Sequence, residues 1–112
     1  MSLKFFRKLG EVWAFDLTWI DRTEQPQSIA AATGLAANWY TMDDVAVSGA
    51  TNDTTGCTIV EIDASTIGQF RYKRTDLSQF AKGVSYKLEF VASINGELTK
   101  TPEKAYIVVE VN

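Results

Sequence analysis

VSYKLEFVASINGELTK, residues 84–100, alternates with a period of two: Tyr86, Leu88, Phe90 and Ala92 fall on one side, and Ser85, Lys87, Glu89 and Val91 on the other. Successive side chains of a strand point to opposite faces, so this run reads as a half-buried β-strand. It leads to Asn95-Gly96, the dipeptide that favours a tight type I′ turn because both positions tolerate positive φ. A return strand is therefore expected. It runs through residues 97–99, is interrupted near Pro102 and resumes over residues 104–111, where Ile107, Val109 and Val111 share a face. Proline cannot donate a ladder hydrogen bond, so Pro102 is expected at a bulge or a crossover on a sheet edge.

The same pattern extends toward the N-terminus. Residues 68–74 set Phe70 and Tyr72 against Gln69, Arg71 and Lys73, and residues 11–20 set Trp13, Phe15, Leu17 and Trp19 against Val12, Ala14, Asp16 and Thr18. Residues 57–63 carry Ile59, Val60 and Ile62, β-branched side chains that suit a pleated surface. Shorter strands are expected at residues 28–32 and around Val45 and Val47. Residues 33–43, with Trp39, Tyr40 and Met42, hold no sustained period and read either as an irregular connection or as a strand broken by Gly34. Such strands, separated by turn signals, predict an all-β fold, an antiparallel sandwich of about seven short strands over residues 11–112. Residues 1–10 precede it as an N-terminal extension and attachment segment. Leu77, Gly83 and Tyr86 match a corner in which a tyrosine hydroxyl bonds back to nearby backbone, and residues 76–81 have room for one helical turn joining the two sheets.

Composition bounds the chemistry. The chain has 112 residues, the length of one domain, with 46% hydrophobic and 22% charged residues, close to the globular average. Fourteen acidic against 11 basic residues give a net charge of −3, which disfavours a field that attracts nucleic acid. No stretch is long and apolar enough for a membrane span. The opening MSLKFFRKLGEVWAF lacks the apolar run of a secretory signal, so the protein is expected to be made and folded in a cytoplasm. Its one cysteine, Cys57, has no internal partner and reads as a small buried hydrophobe.

There is no histidine, so neither a Ser-His-Asp nor a Cys-His constellation can be assembled, and a thiolate or imidazole zinc site lacks ligands. Nucleotide-binding fingerprints are also missing. Asp43, Asp44, Asp53, Glu61 and Asp63 are the one carboxylate set that might converge, but a sandwich this small rarely provides the substrate cleft such chemistry needs. Asn52-Asp53 with Thr54 and Thr55 supplies oxygen atoms without the calcium-loop pattern. The expectation is a protein that is not an enzyme, with no catalytic residue, metal or cofactor.

One resemblance covers nearly the whole chain. FFRKLGEVWAFDLTWID, then QSIAAATGLA, then LSQFAKGVSYKLEFVASINGELTK and a closing YIVVEV resemble the small Ig-like structural proteins encoded among the virion genes of tailed bacteriophages. Lys8, Glu11 and Trp19 match the lysine, acidic residue and strand-ending tryptophan of that group. Gly83, Tyr86, Gly96 and Val111 match its G-x-x-Y strand and glycine-turn hairpin. The chain differs in lacking a proline-rich lead before Glu11. The resemblance implies an antiparallel Ig-like β-sandwich acting as a non-enzymatic particle component, a capsid decoration protein or a head/tail fibre adaptor, assembled in the host cytoplasm. Its partners would be other virion proteins, of the capsid or of the tail and fibres, and copies of itself, with no nucleic acid and no membrane.

Two groups are the partner-binding candidates. Leu3, Phe5 and Phe6 beside Lys4, Arg7 and Lys8 would add apolar side chains or a β-strand to a neighbouring subunit, unless Phe5 and Phe6 fold onto their own sandwich. Trp39 and Tyr40, in the aperiodic segment, are the aromatic pair expected to be exposed; the alternative function, a glycan- or host-receptor-binding module, would use them as its platform.

Overall fold

Alternation builds two sheets that close on one aromatic core. The computed structural model describes residues 3–21, 23–100 and 107–112. Its strands are β1 (Leu3–Arg7), β2 (Trp13–Thr18), β3 (Thr33–Thr41), β4 (Cys57–Ile59), β5 (Gln69–Arg74), β6 (Ser85–Ile94), β7 (Glu97–Lys100) and β8 (Ile107–Val111), with a short 3₁₀ turn at Ala64–Thr66. One sheet has the order β1-β8-β6-β3, with β7 also paired to β6; the other has the order β2-β5-β4. All pairings are antiparallel except β1 with β8. This is the all-β, largely antiparallel sandwich the alternation predicts, with eight strands where about seven are expected.

Inward positions follow the period of two. Trp13, Phe15 and Leu17 of β2, Phe70 and Tyr72 of β5, Tyr86, Leu88, Phe90, Ala92 and Ile94 of β6, and Ile107, Val109 and Val111 of β8 are all buried. Asn95 and Gly96 turn with φ of 53° and 81°, closing the β6–β7 hairpin as expected. The Tyr86 hydroxyl accepts a 2.8 Å hydrogen bond from the Ala81 N–H, which completes the tyrosine corner. Residues 76–81 form no helical turn: a Phe80 N–H to Leu77 carbonyl bond makes a β-turn, and Asp76 Oδ1 takes the Ser78 N–H and hydroxyl. Pro102 lies outside the described residues.

Four expectations need correction. Of the two readings of residues 33–43, the irregular connection is wrong and the strand is right: residues 33–41 form the nine-residue β3, and Gly34, at φ 66°, interrupts its register between Thr33 and Ala36 without ending it. Residues 28–32 are not a strand; Ile29 plugs the core and the chain then turns, with Ala32 N–H bonded to the Ile29 carbonyl. Residues 45–53 form no regular strand either. They run along the outer edge of β3, satisfying it through bonds between Thr41 and Val45, Trp39 and Val47, Trp39 and Ala50, and Ala37 and Asp53. Strand β4 stops at Ile59, after which Asp63 caps the 3₁₀ turn.

The N-terminal residues do not stand apart from the sandwich. Residues 3–7 are β1, paired residue by residue with β8 from Leu3↔Ile107 to Arg7↔Val111. Parallel pairing with β8 makes β1 the edge strand on that side.

Gly56 is needed for close approach of β4 to β5. Its carbonyl accepts from the Lys73 N–H at 3.0 Å, and a Cβ built on it would lie 1.7 Å from the Lys73 carbonyl oxygen, where only backbone could give way. Gly56→Ala is expected to destabilise the fold by about 2 kcal/mol or more, the scale of overpacking in a rigid place, read as a lower urea midpoint.

Candidate functional site

The eight candidate residues divide by strand parity. On β1, Lys4 and Phe6 point outward, while Phe5 packs against the core with its ring edge-on to Phe15 at 5.3 Å. On β3, Tyr40 points outward and Trp39 inward. Trp39 is 0% exposed, so the expectation that it stands at the surface is wrong. It lies among Trp13, Phe15, Tyr72 and Phe80, with ring centroids 4.8–6.3 Å away. A platform built on both Trp39 and Tyr40 is thereby ruled out in this fold.

Arg7 is used internally. Its guanidinium lies 4.5 Å from the centroid of Phe15 and 5.0 Å from that of Phe5, and donates to the Phe6 and Ala14 carbonyls, both at 2.9 Å. It thus spans the gap between β1 and β2 at the open flank of the sandwich. Lys8 is exposed and offers its carbonyl to the Trp13 indole N–H at 2.9 Å. The side chain of Leu3 lies outside the described residues.

The remaining candidates meet on one surface. Register places Lys4, Val108, Lys87 and Tyr40 in a row across β1, β8, β6 and β3, with Phe6, Glu110 and Ser85 in the next row on the same face. Lys4 Nζ is 3.0 Å from Glu110, and Lys87 Nζ is 2.8 Å from Asp44 at the end of β3. The Tyr40 hydroxyl sits 3.5 Å from Glu89 Oε1, and burial, then the Glu89 charge, push its pKa up. Phe6 is 56% exposed beside these charges. A face of mixed sign with an exposed aromatic at its margin suits contact with protein. In sequence the N-terminal segment and Tyr40 are more than thirty residues apart; one sheet face carries both.

The most elaborate polar cluster is internal. Trp39 Nε1 donates to the Tyr72 hydroxyl at 3.0 Å, Tyr72 donates to Asp53 Oδ2 at 2.6 Å, and Arg74 Nη1 reaches the same oxygen at 2.8 Å. Arg74, only 7% exposed, also donates to the carbonyls of Gly49 and Asp76 and to Gln79 Oε1. These groups satisfy one another, so the cluster pins the segment at residues 49–53 to β5. Burial, then the Asp53 hydrogen bond, raise the Tyr72 pKa. Cys57, half-buried, donates to the Asp53 carbonyl at 3.5 Å, and desolvation, then the Asp53 charge, push its thiol to about 12.

The carboxylates do not converge. Asp44 pairs with Lys87, Asp53 with Arg74, Glu61 accepts from the Ser28 hydroxyl and the Ile29 and Gly68 N–H groups, and Asp63 caps the 3₁₀ turn. No group of three acidic or cysteine side chains among the described residues is placed to hold a metal ion. A shallow concavity of about 770 Å³ lies over the outer side of β2, β5 and β4, lined by Asp16, Thr18, Thr58, Gln69, Arg71 and Lys73 among others. Its one aromatic, Phe70, is buried and offers no stacking surface. No family model, curated protein or solved structure matches the chain.

Two measurements check the site. Asp53→Ala leaves the buried Arg74 guanidinium uncompensated and is expected to cost about 3 kcal/mol, against about 1–2 kcal/mol for Tyr72→Phe, in urea unfolding. Hydrogen bonds hold the Asp16, Asp21, Glu61, Asp63 and Asp76 carboxyls below their ordinary values, from Arg71, Thr23, Ser28, Ser65 and Ser78 respectively. A lowered folded-state pKa adds stability that is present above the unfolded value and lost as pH falls through the folded one. The melting temperature should therefore hold steady from pH 7 to about 5 and drop below about pH 4.

Proposed function

We propose that this protein is a non-enzymatic structural component of a tailed bacteriophage virion, a capsid decoration or head/tail fibre adaptor protein, assembled in the host cytoplasm. It would bind another virion protein through the outer face of its five-stranded sheet. The observation that carries this reading is the gathering of Lys4, Phe6, Tyr40, Lys87, Glu89 and Glu110 on that one face. Two further features support it. The buried polar cluster spends its hydrogen bonds on itself, and the sequence resembles small Ig-like virion proteins along most of its length.

Such a face need not bind tightly alone. Copies repeated over a shell or a tail convert modest contacts into firm attachment. Phe6 would be the anchor, since energetic hot spots favour aromatic side chains that become desolvated on binding, and at 56% exposed it has apolar surface to bury.

The test is composition of particles purified from an infected culture in which the chain carries Phe6→Glu, quantified by mass spectrometry. The expected result is at least about tenfold fewer copies per particle, the effect of losing one hot spot, with an unchanged melting temperature. Lys73→Glu, on the outer side of the other sheet, should incorporate normally. Equal incorporation of Phe6→Glu would exclude this face, and absence of the unaltered protein from particles would exclude the function.

A further inference from the structure

We infer that the outer edge of β1 pairs with β1 of a second copy, antiparallel about a two-fold axis centred on Phe5, so that two five-stranded sheets join into one. The inference does not rest on the particle reading. It starts from backbone phase. The Asn112 N–H donates to the Arg7 carbonyl at 2.8 Å, and in a parallel ladder with Arg7 opposite Val111 this turns the N–H and C=O groups of Phe5 and Arg7 toward β8. Those of Lys4 and Phe6 then face away from the sheet, and among the described residues no strand pairs with them.

Among the described residues, the other edges are shorter than β1 or partly covered, β7 having four residues. Residues 45–53 satisfy the outer edge of β3 with backbone bonds. The edge of β2 is crossed by Arg7, whose guanidinium covers Phe15 and takes the Ala14 carbonyl. Strand β4 has three residues. Edge strands are the places where chains add to one another, and on β1 the outward N–H groups of Lys4 and Phe6 and the Lys4 carbonyl have no strand partner among the described residues.

The strand is complementary to itself. A two-fold axis at Phe5 sets Lys4 opposite Phe6 of the second copy, twice, with an N–H and a C=O exchanged in each direction, so four hydrogen bonds form. Arg7 Nη1 already donates to the Phe6 carbonyl at 2.9 Å, but a carbonyl oxygen accepts two. Within one chain Lys4 Nζ lies 5.3 Å from the Phe6 ring centroid, and the seam repeats that cation–aromatic pairing between copies. Glu110, 3.0 Å from Lys4, compensates each ammonium, so the two lysines can approach. On the inner side the half-buried Phe5 rings meet as a directly opposed pair, the closer kind of cross-strand contact. The joined sheets present their outer faces side by side as one surface.

The contact is small, far below the ~1,600 Å² of a standard interface, and a dissociation constant on the order of 100 µM is expected. The experiment is sedimentation equilibrium of the purified full chain from about 10 µM to 1 mM, with amide exchange of Lys4 and Phe6 followed by NMR over the same range. The mean mass should rise from 12.4 kDa toward twice that value. The Lys4 and Phe6 amides should gain protection with concentration, while those of Phe5 and Arg7 are protected throughout. Phe6→Pro removes an outward N–H without touching the ladder to β8 and should weaken association at least tenfold; Phe6→Ala keeps the N–H and should associate measurably. A chain still monomeric at 1 mM overturns the inference, as does dimerisation without protection of Lys4 and Phe6, or dimerisation of Phe6→Pro equal to that of the unaltered chain.

Discussion

The hydrogen-bonded series Trp39–Tyr72–Asp53–Arg74 is the constraint on which the rest depends, because it ties one sheet to the other through groups that cannot be left alone. Trp39 stands on β3 of the five-stranded sheet, Tyr72 and Arg74 on β5 of the three-stranded sheet, and Asp53 on the segment that seals the edge of β3. A buried indole N–H, phenol and guanidinium each need a partner, and a missing one costs more than a made one contributes. The arrangement therefore selects one register for β3, β5 and residues 49–53 together. Antibody domains join their sheets at the core by a disulfide packed on a tryptophan; here Leu88, two residues beyond the corner tyrosine Tyr86, stands at the second of those positions. Stacked and edge-on rings of Trp13, Phe15, Trp39, Tyr72, Phe80 and Phe90 fill the space instead.

This internal closure decides what the surface can offer. Once Trp39, Phe5 and Arg7 are committed inward, the outward residues of the same strands, Tyr40, Lys4 and Phe6, fall on a single sheet face. Their backbone is already held in the sheet, so the ordering cost on binding is confined to side chains. Arg7 meanwhile closes the flank between the sheets by taking one carbonyl from each edge strand. The outer edge of β1 stays regular.

Strands β2, β5 and β6 were legible because each has one buried and one solvated face, which is the condition for clean alternation. The hairpin and the tyrosine corner were legible because turn chemistry is local. Strand β3 was hidden because Ala36 and Ala37, adjacent in sequence, are both buried and Gly34 sits at a register shift, so no period of two appears. Its tryptophan could have been placed: a buried tryptophan on the third strand of a sandwich that also carries a tyrosine corner is a recurrent pairing. Arg74 adjoins Lys73 in sequence and carries the same charge, yet it shares parity with Phe70 and Tyr72, and parity sends it to the core. The role of residues 3–7 was out of reach of local pattern, since their partner, β8, is about a hundred residues away in the chain. The outer-face site could be read only as separate parts, because rows across four strands exist only after register is set.

Hydrogen exchange of the three indole N–H groups, resolved by NMR and assigned by single Trp→Phe variants, tests the central claim most directly. A Trp39 that bridges the sheets to Tyr72 should exchange its indole proton only through global unfolding, at a rate that tracks overall stability as urea is added. Exchange of Trp39 on the timescale of an exposed indole, insensitive to stability, would contradict the account.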